Sequence, residues 1–180
     1  MFEIKQLNPE KYRQQTRRST LIIVLIFLVL GMLLSTLAVR LFGEPGGDNF
    51  RWNLGGILAG LLLTVALVRC KFWQQPWMAP AAYGWQLKRR LMSVSNAMHH
   101  VTAGVGAQDP SAMKLLRFYH LGLTQMYQLD GNSSALSQML AEIDRHRQAM
   151  AALGMDTEQH RLNPAWLETI KQAAARSPQR

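Results

Sequence analysis

The hydrophobic pattern of this 180-residue chain has two parts: long apolar stretches first, then apolar residues at helical spacing. Residues 19–39 are 21 positions without a charge, and residues 21–30 are apolar on every face of a helix. At ~1.5 Å per residue such a run covers about 30 Å, the hydrocarbon thickness of a bilayer. A helix on a soluble surface would keep a polar face. A cleaved signal peptide has a shorter apolar region, about 7–15 residues, ending in a small-x-small site. This run is longer and ends at Val39-Arg40-Leu41. It predicts an uncleaved first transmembrane helix over 19–39, preceded by a basic segment, 1–18.

A second uncharged stretch, 52–68, is closed by Arg51 and Arg69. Arginine stems can lie along lipid while the heads reach water, so a span over 52–70 is expected. It contains Gly56-Ile-Leu-Ala-Gly60, a GxxxG match, and the first span contains the small-xxx-small pair Gly31 and Ser35. These four residues form a helix-packing or oligomer face. Either two copies associate through it, or the two spans pack on each other within one chain. The short connection, 40–51, with Pro45, Gly46 and Gly47 as its turn, favours packing within a hairpin. Glu44 and Asp48 read as solvated loop residues.

After the second span, Pro76 and Pro80 predict an interfacial linker over 71–84. The period then changes. Leu87, Leu91, Val94, Met98, Val101 and Val105 recur at 4, 3, 4, 3, 4, the seam of one helix. Asp109-Pro110 reads as N-cap and first position of the next, with Ala112, Leu116, Tyr119, Leu123 and Met126 on one face. Gly131 stops it. Asn132 or Ser133 starts a third, carrying Leu136, Leu140, Ile143, Met150 and Leu153 and stopped by Gly154. Arg147 interrupts that stripe. It marks a register shift towards Met139 and His146, a pairing with a carboxylate across the bundle, or a role of its own. Asn163-Pro164 opens a short fourth helix with Trp166, Ile170 and Ala173. The expected fold is an all-α membrane protein. A two-helix transmembrane hairpin precedes a small antiparallel bundle over 85–175, three helices plus a short fourth, and a disordered tail over 176–180. No strand pattern is visible.

Charge sharpens this picture. The chain carries 20 Lys and Arg against 11 Asp and Glu, a formal net charge of +9. Residues 1–91 hold 12 basic and 4 acidic residues; residues 92–180 hold 8 and 7. The excess therefore flanks the apolar stretches: Lys5, Lys11, Arg13, Arg17 and Arg18 before the first, then Arg69, Lys71, Lys88, Arg89 and Arg90 after the second. The loop holds only Arg40 and Arg51. The positive-inside rule then predicts both termini in the cytoplasm and the loop outside. Trp52, Trp73 and Trp77, with Arg17, Arg18, Arg69 and Lys71, are the expected membrane-interface anchors, facing an anionic inner leaflet. The nearly neutral second half lacks the basic face of a nucleic-acid-binding helix.

Little in the chain suggests chemistry. A single cysteine, Cys70, excludes a disulfide framework and a cysteine zinc site. No pair among His99, His100, His120, His146 and His160 has the i, i+4 spacing of a helical metal site. The run beginning at Asp130 superficially resembles a calcium loop, but Ala135 and Ala141 stand where that loop needs Gly and Glu. No phosphate-cradling loop or nucleophile motif occurs, and neither uncharged stretch, 19–39 or 52–68, holds the charge that a proton or ion relay requires. No catalytic residue, cofactor, metal or small-molecule substrate is expected.

The runs FGEPGGDNFRWNLGG (residues 42–56), MHHV (98–101), LLRFYHLGL (115–123) and QLDGN (128–132) resemble a family of short proteobacterial inner-membrane proteins known only as a domain of unknown function. The resemblance covers the chain to about Gly154. It implies a two-span protein of the bacterial inner membrane and carries over no functional residues. The expectation is a membrane protein offering a cytoplasmic helical module for protein–protein contact or self-association, with Tyr127, Met150 and Trp166 as contact anchors. The alternative is a homo-oligomeric channel or transport accessory built on the glycines of the second span.

Overall fold

The computed structural model describes residues 2–176. They form seven α-helices and one two-stranded antiparallel pair: β1 (Phe2–Glu3), α1 (Pro9–Phe42), α2 (Phe50–Leu67), α3 (Ala79–Ser95), α4 (Met98–Gly106), α5 (Pro110–Asp130), α6 (Ser133–Ala152), β2 (Arg161–Leu162) and α7 (Pro164–Arg176). The chain divides into two compact units, a hairpin over 13–82 and a module made of residues 2–12 together with 83–176.

In the hairpin unit, α1 and α2 are both long and apolar enough to span a membrane. Only 6% of the most apolar window of α1 is buried, and 17% of that of α2. A core helix of a soluble protein would be mostly covered. α1 is longer than the predicted 19–39 because Asn8-Pro9 starts it early. The Asn8 side chain accepts from the backbone N–H groups of Glu10 and Lys11, at 3.0 and 3.1 Å, and Pro9 needs no donor there. The turn is also tighter than expected, because α1 runs on to Phe42. Asn49 fixes it by accepting from the Glu44 N–H at 3.0 Å and donating back to the Glu44 carbonyl at 3.1 Å. The segment read as a linker, 71–84, is largely helical, with a turn over 73–75. A π-helical turn (Val68–Phe72) and a 3-10 turn (Pro76–Met78) lead into α3. Pro80 is the second residue of α3, where the missing N–H costs nothing.

The module is built around α5, which packs against α4, α6 and α7. Its ends are those read from the sequence. Asp109 accepts from the Ala112 N–H at 2.8 Å, and Gly131 closes the helix at φ 73°. Asn132 caps α6 by accepting from the Ala135 N–H at 3.1 Å. Three expectations need correction. The single seam over Leu87–Val105 is two helices, broken at Asn96 and Ala97, although Leu87, Leu91, Val94 and Val101 are all buried. A strand pair exists: Phe2 faces Leu162 and Glu3 faces Arg161, extended by an Ile4 N–H donating to the His160 carbonyl at 2.9 Å. The N-terminal residues are therefore part of the core. Phe2, Ile4 and Tyr12 are buried; Phe2 stacks on Tyr83 at 5.9 Å and meets Phe118 edge-on at 6.5 Å. The Tyr12 hydroxyl occupies the place a Cβ would take on Gly84. The expected disorder over 177–180 lies outside the described residues, and Arg176 ends α7.

Candidate functional site

Along α1 the less exposed residues recur in adjacent pairs every four positions, at 22 and 23, 26 and 27, 30 and 31, 34 and 35. On α2 the buried positions are Gly56, Gly60 and Thr64, again four apart. Matching i, i+4 rows of small residues let two helices approach at backbone distance. A Cβ on Gly60 would lie 2.7 Å from the Gly31 Cα, and one on Gly56 would overlap the Ser35 backbone. Ser35 adds a hydrogen bond, its hydroxyl donating to Asn53 Oδ1 at 2.7 Å. The structure thus brings Gly31, Ser35, Gly56 and Gly60 together within one chain. That seam is occupied, and it is not a face left open to a second copy.

The expected interface anchors divide into two groups. Trp52 stacks on Phe42 at 5.0 Å beside the loop. At the other end Trp77 lies 5.4 Å from Phe72, and Trp73 and Arg69 border an apolar crevice. Arg17, Arg18, Arg69, Lys71 and the free Cys70 are exposed.

The expected partner anchors of the module do not lie together on its surface. Met150 is fully buried, so it serves the core; Tyr127 and Trp166 are half-buried and pack on that core. The reason is register. The buried face of α6 runs through Met139, Ile143, His146 and Met150, while Leu140 and Leu153 are exposed. Arg147 falls on the outer face and pairs with Asp144, three residues earlier on its own helix, at 3.3 Å. The large apolar side chains that α3 does expose are Trp85 and Met92, two turns apart, with the Arg89 guanidinium 5.1 Å from the Trp85 ring.

A buried polar cluster was not legible in the helical periods. Arg117, His120 and His146 are all buried between α5 and α6. The two imidazoles meet edge-to-face at 5.3 Å. His146 Nε2 bonds to the Met113 carbonyl at 3.0 Å, and Arg117 Nε donates to the Thr157 carbonyl at 2.7 Å, holding the segment before β2. His120 Nδ1 is buried with no hydrogen-bond partner among the described residues. Burial pushes the His120 imidazole down to about 4, and the neighbouring His146 and Arg117 charges push the same way. Burial also lowers His146, against the opposing pull of its bond to the Met113 carbonyl. At neutral pH His120 is uncharged, and its 3.9 Å approach to Glu142 is no ion pair. Among the described residues no three His, Cys, Asp or Glu side chains are grouped to hold a metal ion.

Residues 2–167 match the model of a family described as "Protein of unknown function (DUF3087)". The chain belongs to the DUF3087 family. The match runs from β1 into α7, past the Gly154 at which the sequence resemblance stopped, so the family unit includes the strand pair that closes the module. No curated protein and no solved structure matches the chain. The DUF3087 description assigns no residue a role.

Proposed function

We propose that this chain is a bacterial inner-membrane protein, anchored by the α1–α2 hairpin with both termini cytoplasmic. It offers its helical module to another protein as an adaptor, scaffold or accessory subunit, and the reading assigns it no catalytic step. The observation that carries the proposal is the composition of the module core. Phe2, Ile4 and Tyr12 precede or open α1, yet they pack with Tyr83, Phe118 and Leu162, which follow α2. Two spans that start and finish in one folded unit return the chain to the side it left. The basic clusters at both ends of the hairpin agree with that side being cytoplasmic, and the exposed apolar side chains of both spans call for an apolar solvent. The bacterial setting rests on the sequence runs at 42–56 and 115–123.

Support for a partner comes from Trp85, Arg89 and Met92. These residue types are enriched at protein interfaces, and here they share one exposed strip of α3. The test is affinity capture after gentle detergent extraction. A stoichiometric partner or a self-associated form should be recovered with the parent and lost with Trp85→Ala and Met92→Ala combined. Recovery of neither from the parent would sink the adaptor reading. Reporters fused after Asp48 and after Ala175 should lie on opposite sides of the membrane.

A further inference from the structure

The hairpin unit carries a crevice of about 450 Å³ whose chemistry changes from one end to the other. Its α1 wall is Gln15, Arg18, Ser19, Ile22 and Ile26, one face of the helix, about 16 Å long at 1.5 Å per residue. An amide and a guanidinium stand at one end and two branched alkyl chains at the other. Between them the Ser19 hydroxyl is already used, shared between the Trp77 carbonyl at 2.7 Å and the Gln15 carbonyl at 2.9 Å. The facing wall is aromatic, formed by Phe72 of the π-helical turn and Trp77 of the 3-10 turn. Among the described residues no carboxylate lines the space.

We propose that this crevice holds one anionic phospholipid, with its phosphate against Arg18 and an acyl chain along Ile22 and Ile26. A free phosphate would fill only the mouth, and a neutral hydrocarbon only the interior. A molecule with a negative head and an alkyl tail complements both. The proposal rests on the membrane reading above and adds a single defined lipid position to it.

The test is native mass spectrometry of the full chain released from vesicles of mixed phosphatidylglycerol and phosphatidylcholine. The parent should retain one phosphatidylglycerol in preference to phosphatidylcholine. Arg18→Gln, a change at an exposed side chain, should weaken that retention about five-fold, the effect of one cation near an anionic headgroup. Arg17→Gln removes the same charge beside the crevice and should leave retention unchanged. Ile22→Trp should fill the interior and abolish it. Equal loss in the two arginine variants would reduce the effect to general surface charge and overturn the proposal. So would retention by Ile22→Trp, or displacement of the lipid by inorganic phosphate. Alkaline carbonate extraction separates the two levels. Chain released by carbonate defeats the membrane reading itself, whereas chain that stays in the membrane without a retained lipid defeats the crevice alone.

Discussion

Gly60 of α2 and Gly31 of α1 touch backbone to backbone: a Cβ on Gly60 would sit 2.7 Å from the Gly31 Cα. Gly60→Leu should force the helices apart and lower the thermal unfolding midpoint of the detergent-solubilised protein, a cost of about 1–3 kcal/mol. Gly55 is the control, because nothing lies within 4 Å of a Cβ there. Gly55→Leu should unfold at the parent's temperature or above it.

A second close approach lies in the module. A Cβ on Gly122 of α5 would lie 2.6 Å from Leu91 Cδ2 of α3. Gly122→Ala should destabilise by about 1–3 kcal/mol and Leu91→Ala by about 2–5 kcal/mol. The double variant should lose less than their sum, because the shortened side chain makes room for the new methyl. Chemical denaturation of all four proteins measures the coupling. Strict additivity would deny the contact.

Acid should loosen the α5–α6 contact. His120 is held near 4 in the folded chain, below its ordinary 6.5, so the unfolded chain binds more protons between those values. The stability tied to neutral His120 is present in full above pH 6.5. It is lost as the pH falls towards 4, up to about 3 kcal/mol. His146 is also lowered and acts in the same sense, while Glu142 opposes it there and Arg117 reinforces it. His120→Leu should flatten the pH dependence of unfolding between 6.5 and 4; an unchanged slope would remove His120 from the account.

Phe2 reaches the core through a strand only two residues long. Phe2→Ala should cost about 3 kcal/mol. Limited proteolysis should then cut first around β2, whose partner strand has been weakened, and the hairpin should stay protected in its micelle.

Much of the helical framework was legible because it depends on local chemistry. Asp109-Pro110, Asn132 and Gly131 act within a few residues of themselves, and each does what its type dictates. Asn8-Pro9 carries the same signal and was hidden only by the apolar run after it. The centre of the module was harder to read. One face of α5 was visible, through Ala112, Leu116 and Leu123, but the helix is covered on several sides and also buries Leu115, Phe118, Gly122 and Leu129. Those residues form a second apolar row, a sign of a central helix. His120 lies on a third side of α5, with Met113 and Arg117, away from the second row, and a polar residue there reads as surface until the neighbouring helices are in place. The break at Ala97 interrupts a seam whose apolar period continues unchanged across it. The pairing of Phe2 with Leu162 depends on tertiary closure and leaves no periodic trace.

The strand pair also fixes an order of events during synthesis. Phe2, Ile4 and Tyr12 leave the ribosome first, but Tyr83, Phe118 and Leu162, which bury them, follow only after both hairpin helices have been made. Until then the first residues have no core to join. The module core therefore closes last, and a nascent chain halted before Leu162 would have made both hairpin helices while Phe2, Ile4 and Tyr12 still lacked the residues that bury them.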